Sequence, residues 1–496
     1  MEYYNKRKEM VQPQFVIYEY KVAEKESKMK GFESKFLTRQ LTTDQFTYNQ
    51  VIGMLIPLVL DQLFIYAISL LTMSMISSSG QDSVTAVSLV TPVNFMITMI
   101  QAAFCSGGAV VIAQYKGHGD TEKVQVAIGQ TVWFSICITT IMSLAVFFAS
   151  GPIVETLFGA AEVSVKSKAK VYLAGMALNL IIHAPRTATG AGLRGVGDNK
   201  HNLYGSLLVN VSYFFFSLVF LNWLKMDIEG TLLAYCLART LGLISSAYFL
   251  FFQKNGKVRI RIKQMLLPKK EYIKSIWRLG VPFSTEELFF NGGTILVSSY
   301  MVLLGTTSVA AHAIANSVFT TLYAPLTAVG ILATTVVGQC IGAGRRDLAK
   351  HYGKKLVQMG YIVAILFVLL MLPLLRPILD LYNPEPEALK ITWKLLFIGM
   401  GGMVLFMPAS TIMPYTLRAA GDAYYSTAVS MVTMWAIRVG LGFLVSVILD
   451  FGIEGIWICM AVEWILRSAL FIVRYCGNAW LKKKNVIEAE AESAGK

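Results

Sequence analysis

The sequence predicts an all-α integral membrane protein of about 12 transmembrane helices, arranged as two pseudo-symmetric six-helix lobes. Three observations lead to this fold class: the composition of the 496 residues, a regular succession of apolar runs, and an internal repeat. Hydrophobic residues make up 55% of the chain, only 15% is charged, and the mean hydropathy is +0.56. Soluble domains carry about 25% charged residues, and a soluble chain this apolar would expose large adhesive patches. The composition therefore places the chain in a bilayer.

Apolar runs follow one another from about residue 50 to residue 476, after a polar segment of residues 1–45 that we predict to be a cytosolic tail. Each run can cross a hydrocarbon core of roughly 30 Å at about 1.5 Å per residue. In the first half they lie near residues 50–78, 88–115, 124–149, 166–185, 201–223 and 229–252. In the second half they lie near residues 275–303, 311–340, 352–376, 390–414, 425–448 and 453–476. The predicted domains are an N-lobe (46–252), a cytosolic basic linker (253–274), a C-lobe (275–478) and a cytosolic C-terminal tail (479–496).

The connectors between the runs alternate in charge. Lysine and arginine are concentrated in every second connector and in the tail, at Lys116–Lys123, Arg186–Lys200, Lys254–Lys274, Arg345–Lys355 and Lys482–Lys484. The opposite connectors are nearly free of both residues, as in Ser78–Val87 and Gly305–Ala310. Because basic connectors stay on the cytosolic side, we predict a multi-pass protein of the plasma membrane with both termini in the cytosol. The net charge of +14 is thereby attributed to membrane orientation and not to nucleic-acid binding.

An internal repeat of 225 residues relates the two halves. From Pro57 to Gly119 the alignment has no gap, and it matches Pro57 with Pro282, Asp61 with Glu286, Gln114 with Gln339 and Gly117 with Gly342. Further along, Leu193-Arg194-x-x-Gly197-Asp198 matches Leu417-Arg418-x-x-Gly421-Asp422. An even number of helices per half makes both halves enter the membrane from the same side. Transporters built in this way carry substrate between their lobes near the membrane midplane.

Asp61 and Glu286 each lie about 11 residues into their runs, near the middle of the bilayer. An ionised carboxylate at this depth costs about 2.5–3.5 kcal/mol or more, so it is rarely retained without a role. A proton and a cation compete for such a carboxylate, which is the physical basis of antiport. We therefore predict that Glu286 and Asp61 serve ion or proton coupling and substrate binding. The alternative is a structural carboxylate that is hydrogen-bonded to a neighbouring helix.

Other polar residues also fall inside the runs. Four of them either line a cavity or hold helices together: Asn94, Asn179, Tyr300 and Asn316. Four charged residues form a candidate gating network: Arg239, Arg438, Glu463 and Arg467. Glu463 and Arg467 are four residues apart on one helix and can pair with each other, so a purely structural arginine network is the alternative.

The Leu-Arg-x-x-Gly-Asp segments predict helix ends, with a role in gating as the alternative. Gly197 and Gly421 can end one helix in a left-handed conformation, and Asp198 and Asp422 can cap the next. The six cysteines are scattered without CxxC spacing, and no HExxH motif or phosphate-binding loop is present. We therefore expect no metal site, no cofactor and no ATP hydrolysis by a phosphate-binding loop, and an ion gradient of sodium or protons would supply the energy.

Residues 50–476 resemble the multidrug and toxic compound extrusion (MATE) family. The segments that carry the resemblance are Val281–Phe290, Leu304–Thr306, Ala310–Ala315, Val337–Gly344, Leu417–Asp422, Trp435–Arg438, Gly455–Trp457 and Glu463–Arg467. The resemblance implies 12 helices in two lobes and the export of drugs and organic cations in exchange for sodium ions or protons. It also implies that Glu286 is the family's seventh-helix glutamate, which is tied to cation coupling and substrate binding. Two acids of the family pattern are missing, one from Ser69–Met75 and one from Phe406–Ser410.

The predicted function is therefore that of a monomeric secondary active antiporter, whose partners are small cationic or amphiphilic substrates and the lipid bilayer. One alternative from the same superfamily is a flippase for a lipid-linked oligosaccharide or a peptidoglycan precursor. Arg239 and Arg438 favour it, because a pyrophosphate head group needs a cationic cavity. A membrane-embedded enzyme would need catalytic groups clustered on one loop face, and the sequence contains no such cluster.

Overall fold

The structure is a computed structural model that describes residues 41–76, 81–159, 161–252, 259–382 and 384–494. Residues 1–40 of the predicted tail and residues 253–258 of the predicted linker lie outside the described residues. The chain divides into a unit of Met1–Val51 and a unit of Ile52–Lys496. In the described part of the first unit, the Thr43 N–H donates to the Phe46 carbonyl at 2.8 Å, which makes a turn just before the first long helix.

All regular elements of the described residues are helices. Those of the first half are α1 (Tyr48–Ile76), α2 (Gln81–His118), α3 (Thr121–Phe158), α4 (Val163–Val196), α5 (Asn199–Ser217) and α6 (Ile228–Ala247). A short helix, Ile262–Leu266, precedes the second half. Its helices are α7 (Lys270–Met301), α8 (Thr306–Gly342), α9 (Arg346–Leu381), α10 (Pro386–Leu405), α11 (Met407–Ala419), α12 (Ala423–Thr433), α13 (Gly452–Cys476) and α14 (Val486–Ala494). The ends of α5, α6 and α12 continue as π-helical turns, to Trp223, Phe252 and Ile448 respectively.

The helix boundaries repeat with the period of the sequence. Helices α2 and α8 begin at Gln81 and Thr306, and α3 and α9 begin at Thr121 and Arg346, each pair 225 residues apart. The long helix α4 corresponds to α10 and α11 together, which are separated at Phe406. Pro408 accounts for this break, because it lacks an N–H donor and crowds the preceding turn.

Eleven helices in the described part of the chain are long and apolar enough to cross a membrane. Helix α4 falls outside this set because it carries Lys166, Lys168 and Lys170 near its start and Arg186 and Arg194 further on. It nevertheless packs against α2, α3 and α6, so it occupies the fourth position of a six-helix lobe.

The structure corrects the expected end of the fourth run. We predicted a span that ends at residue 185, followed by a basic connector, but α4 continues to Val196 and buries Arg186. The charges of Arg186 and Arg194 therefore lie within the lobe and do not orient a loop. Helices α2, α3, α7, α8 and α9 also extend several residues beyond the apolar runs, because a helix continues past the hydrocarbon core while its backbone hydrogen bonds are satisfied.

The two Leu-Arg-x-x-Gly-Asp segments end their helices as predicted. Gly197 and Gly421 have φ angles of 82° and 90°, in the left-handed region where glycine is favoured. The Asp198 side chain caps α5 by accepting from the His201 N–H. The prediction for Asp422 is wrong, because its carboxylate instead accepts from Arg474 Nε at 2.8 Å and makes no capping bond.

The halves meet where α2 and α8 cross, near the side that carries the basic connectors, which we call the basic side. A Cβ atom added to Gly117 would lie 1.9 Å from the Gln339 carbonyl oxygen. A Cβ atom added to Gly342 would lie 1.8 Å from the Gln114 carbonyl oxygen. Only glycine allows two backbones to approach this closely, and the internal repeat supplies it on both helices.

Two glutamine side chains reinforce this crossing with repeat-related hydrogen bonds. Gln114 Nε2 donates to the Ala419 carbonyl at 2.8 Å, and Gln339 Nε2 donates to the Gly195 carbonyl at 3.0 Å. Each bond joins one half to the other half, at the end of the helix that precedes the Gly-Asp turn. The contact, which we call the Gln–Gly clasp, closes the basic side in this structure.

The predicted C-terminal tail contains helix α14, which lies against both halves. The Val486 N–H at its start donates to Gln114 Oε1 at 2.8 Å. Two salt bridges add to this contact, Lys123–Glu490 at 2.9 Å and Arg346–Glu488 at 2.7 Å. Because Lys123 belongs to the first half and Arg346 to the second, α14 bridges the halves beside the Gln–Gly clasp.

Candidate functional site

Glu286 lies on α7, one helical turn after Pro282. Its carboxylate forms an ion pair with Arg418 of α11, and both side chains are largely buried, with 17% and 13% exposed. The Thr427 hydroxyl lies 3.2 Å from the same carboxylate and 3.1 Å from the Pro282 carbonyl. The predicted coupling residue is therefore held by two helices of its own half.

Arg418 also has partners other than Glu286. Its Nε donates to Ser426 Oγ at 3.1 Å. Its guanidinium lies 4.9 Å from the centre of the Phe283 ring and 5.7 Å from that of Tyr415, distances at which a cation and an aromatic ring attract each other. Arg418 can therefore keep its position when the charge on Glu286 is neutralised.

Asp61 occupies the corresponding place in the first half. It is 5% exposed, and its Oδ2 accepts a hydrogen bond from Asn202 Nδ2 at 3.1 Å. Arg194 and Arg186 are the positive charges that act on this carboxylate, and Ser206 lies beside it. Asp61 is thus in a polar environment within its lobe, with a hydrogen bond but no direct ion pair to a described residue.

The two sites are related by the internal repeat. Arg194 and Arg418 are the arginines of the two Leu-Arg-x-x-Gly-Asp segments, and Asn202 aligns with Ser426. Each half therefore brings an arginine from its fourth span towards a carboxylate on its first helix. Sequence reasoning assigned both segments to helix ends, with gating as the alternative, and did not link the arginines to the acids. The recurrence of an acid and an arginine in both halves was a signal that could have linked them.

A second carboxylate next to Glu286 was missed. The side chain of Glu287 is half-buried and forms no hydrogen bond or ion pair with any residue that the structure describes. Glu286 and Arg418 are the charged groups that act on it. Tyr323 and Tyr415 are close enough to Glu287 to interact with its charge. The sequence Thr285-Glu286-Glu287 shows both acids, but the alignment with the first half draws attention only to the first.

Three members of the candidate gating network come together in the second half. Glu463 is fully buried and accepts from Arg438 Nε at 2.5 Å and from Arg467, which confirms the predicted pair on one helix. Arg467 Nε also donates to Thr433 Oγ1 at 3.2 Å. Arg239 does not join them, because it lies on α6 in the other lobe.

The four predicted cavity-lining residues have different environments. Both amide atoms of Asn94 are buried without a partner among the described residues, while Asn179 Nδ2 donates to the Gly175 carbonyl at 3.1 Å. Tyr300 donates its hydroxyl proton to the Arg438 carbonyl at 3.0 Å and so joins α7 to α12. Asn316 is exposed on α8. Asn179 Nδ2 also lies 3.5 Å from the Leu232 carbonyl of α6, so Tyr300 and Asn179 both have helix-joining contacts, as in the alternative interpretation.

The described ranges contain no group of three or more histidine, cysteine, aspartate or glutamate side chains that could hold a metal ion. Of the two adjacent carboxylates Glu286 and Glu287 of α7, Glu287 is the one without a bonded partner among the described residues.

Comparison with known proteins agrees with the division of the chain into two similar halves. The family model described as MatE matches residues 57–222 and 282–444, one block in each half. The "Probable multidrug resistance protein YoeA" of Bacillus subtilis (strain 168) is 25% identical over 413 residues, which cover 82% of this chain and 88% of YoeA. The "Probable multidrug resistance protein NorM" of Thermotoga maritima is 22% identical over 423 residues, which cover 83% of this chain and 89% of NorM.

Solved structures share the fold. One of them, described as the outward-facing conformation of a multidrug resistance MATE family transporter of the MOP superfamily, matches with a TM-score of 0.80 at 18% sequence identity. The match covers 91% of this chain and all of the other chain. It confirms the predicted twelve-helix, two-lobe fold class. Because the family model spans more than half of the sequence, the chain belongs to the MatE family: it is a MATE membrane transporter and not an enzyme.

Proposed function

We propose that this MATE transporter is a secondary active antiporter that exports drug-like amphiphilic cations in exchange for sodium ions or protons. The observation that carries the proposal is the Glu286–Arg418 pair, a carboxylate near mid-membrane whose counter-charge belongs to a different helix. The relatives named as probable multidrug resistance proteins support the same substrate class.

The pair suggests how coupling works. A proton or sodium ion that binds Glu286 neutralises its charge and competes with Arg418. Arg418 keeps its bond to Ser426 and its contact with the Phe283 ring, so it does not have to leave the lobe. A cationic substrate then competes with the driving ion for the same carboxylate, which makes the two binding events mutually exclusive.

Alternating access requires that the basic side open and close. The Gln–Gly clasp closes this side by contacts between the halves, and helix α14 adds salt bridges to both. We propose that rocking of the lobes breaks these contacts and exposes the carboxylates to the basic side of the membrane.

The flippase alternative depends on arginines in a cationic cavity. Arg438 is bound by Glu463, which also binds Arg467, so its guanidinium is already held by a protein group and this weakens the alternative in the second half. Arg239 is the remaining argument for it.

The test is transport by the purified protein in vesicles. We expect a fluorescent organic cation to move against its gradient when a sodium or a proton gradient is imposed, and the movement to stop when an ionophore dissipates that gradient. Each gradient is imposed separately, so the experiment also identifies the coupling ion. Movement of lipid-linked phosphates without gradient-driven cation transport would contradict antiport and support the flippase.

The orientation gives a separate prediction. If the basic side is cytosolic, a single cysteine at position 306 is labelled by an impermeant reagent added outside intact cells, and cysteines at 263 and 346 are not. The background is a variant that lacks the six native cysteines, all of which are free among the described residues. Labelling at 263 or 346 without labelling at 306 would show that the topology is the reverse of the one proposed.

A further inference from the structure

Helix α14 is an acidic helix that lies in a basic groove between the two halves. Its residues, Val486–Ala494, include three glutamates and no lysine or arginine. Glu490 pairs with Lys123 of α3 in the first half, and Glu488 pairs with Arg346 of α9 in the second half. The helix and the surface that receives it therefore have complementary charges. We call this surface the docking groove, formed by Gln114, Tyr115, Lys123 and Arg346.

The most buried polar contacts of α14 are those with the first half. The Glu490 side chain is 18% exposed, and besides its salt bridge it accepts a hydrogen bond from the Tyr115 hydroxyl at 3.2 Å. The Val486 N–H donates to Gln114 Oε1, while Gln114 Nε2 donates to the Ala419 carbonyl of the second half. One glutamine side chain thus binds α14 with one atom and the opposite half with the other. The position of α14 is therefore coupled to the Gln–Gly clasp.

The segment that precedes α14 is anchored to the second half. Trp480 is fully buried, and its ring stacks on Tyr475 of α13 with 5.1 Å between ring centres. Its Nε1 donates to the Tyr475 carbonyl at 3.1 Å. Only residues 481–485 separate this anchor from α14. If the contacts with the first half break, α14 therefore stays tethered near the docking groove and can bind it again.

The contacts of α14 are suited to reversible binding. Arg346 and Glu488 are 42% and 43% exposed, and Lys123 is 37% exposed. Salt bridges between exposed side chains contribute little stability and are weakened by salt. A cavity also remains between α14, α2 and α7, lined in part by Arg278 and Asn485. The helix is therefore not close-packed against the groove as a core helix would be.

The internal repeat does not require this bridge. The short helix Ile262–Leu266 follows α6 in the chain, as α14 follows α13. Gln130 holds the short helix on α3, because its Nε2 donates to the Gln264 and Leu267 carbonyls at 2.8 Å. The Gln–Gly clasp is symmetric between the halves, whereas α14 adds a contact on one side of it. This asymmetry favours a regulatory role for α14 over a role in building the fold.

We propose that α14 is an autoinhibitory latch, which binds the docking groove and disfavours opening of the basic side. When the lobes separate on this side, α14 cannot keep its bonds to both halves. It then leaves the first half and stays attached to the second half through Trp480. Because α14 binds the groove only while the basic side is closed, it shifts the equilibrium towards the closed state. This inference rests on the alternating access of the proposed function and adds an element that regulates it.

The test is hydrogen exchange of the purified protein, which requires neither a substrate nor a coupling ion. Glu490→Lys replaces attraction to Lys123 by repulsion, so we expect exchange at the ends of α2 and α8 to rise by about three- to tenfold. The end of α8 is the diagnostic region, because it is held by the Gln–Gly clasp and by none of the α14 bonds named above. Adding Lys123→Glu restores the attraction with the charges exchanged, and glutamate suits the first turn of α3. The double variant should return to within about twofold of the parental exchange.

Glu492→Lys is the matched control, because it makes the same charge change on the same helix. Glu492 pairs with Lys484 of its own segment at 2.6 Å, and this pair does not bridge the halves. The control should keep the parental exchange at both helix ends. Raising the salt concentration from about 0.05 M to about 0.5 M should increase exchange in the parental protein and have less effect in Glu490→Lys, where the bridging pair is already lost.

Three results would overturn the latch. The first is parental exchange at the end of α8 in Glu490→Lys. The second is an equal rise in Glu492→Lys, which would attribute the effect to net charge. The third is a rise that persists in the double variant, which would show that the pairing of Glu490 with Lys123 is not its cause. Failure of cation efflux by the parental protein would contradict the proposed antiport but would leave these exchange results unchanged, so the two failures are distinguishable.

Discussion

Replacing Glu286 by glutamine abolishes gradient-driven efflux while the protein remains folded. The amide keeps the size of the side chain and still accepts a hydrogen bond from Arg418, but it cannot bind a proton or compete for a cation. We expect at least a tenfold loss of efflux, equivalent to about 1.4 kcal/mol of lost coupling. The measurement is efflux of a fluorescent cation from vesicles at matched protein density, with thermal stability recorded alongside.

A double variant separates coupling from stability. Glu286→Gln leaves the Arg418 charge without its counter-charge, and breaking a buried pair in this way costs up to about 3–5 kcal/mol. The cost is lower here because Ser426 and Phe283 still contact Arg418. Combining Glu286→Gln with Arg418→Met removes both charges, so stability returns while efflux does not. Recovery of efflux in the double variant would show that the pair is structural.

Two further carboxylate variants complete this comparison. Asp61→Asn weakens efflux less than Glu286→Gln, since Asp61 has no direct ion pair in the described residues and departs from the family pattern. The Glu287→Gln variant tests whether the neighbouring carboxylate, which lacks a bonded partner in the described part of the chain, also contributes to efflux. If the Glu286→Gln variant exports at the parental rate, Glu286 has no role in coupling.

The fold could be predicted because its determinants are local or periodic. The length of an apolar run and a 225-residue repeat are both visible in one sequence, and they identify the two lobes. The depth of Asp61 and Glu286 in the membrane follows from counting residues along a helix. The helix ends at Gly197 and Gly421 were likewise predictable from glycine at a left-handed position.

Pairings between distant helices could not be predicted in the same way. Glu286 and Arg418 are separated by 132 residues, and although the repeat carries an acid and an arginine in both halves, it does not show that the two side chains meet. Arg186 was assigned to a loop because the positive-inside rule counts charges without knowing whether they are buried. Arg239 was grouped with Arg438 on residue type alone, although the predicted lobes already separated them, and the structure shows that Arg438 but not Arg239 joins Glu463.

The Gln–Gly clasp explains why the Gln-x-x-Gly motif recurs in both halves. At Gly117 and Gly342 an added methyl group would overlap the carbonyl of a facing backbone, which cannot rotate away as a side chain can. Alanine at either position therefore holds α2 and α8 apart and disfavours closure of the basic side. Since each turnover requires that this side close, the two single variants should lose most of their efflux, at least about tenfold.

Gly401→Ala is the matched control for this prediction. Gly401 lies inside α10 with nothing within 4 Å of the added Cβ atom, and glycine to alanine in a helix interior stabilises it by up to about 1 kcal/mol. This variant should keep parental efflux. Hydrogen exchange, measured by mass spectrometry, should increase at the ends of α2 and α8 in Gly117→Ala and Gly342→Ala but not in Gly401→Ala, because broken contacts expose the backbone there. If both clasp variants transport at the parental rate with unchanged exchange, the crossing of α2 and α8 does not gate the basic side, and the lobes must close on other contacts.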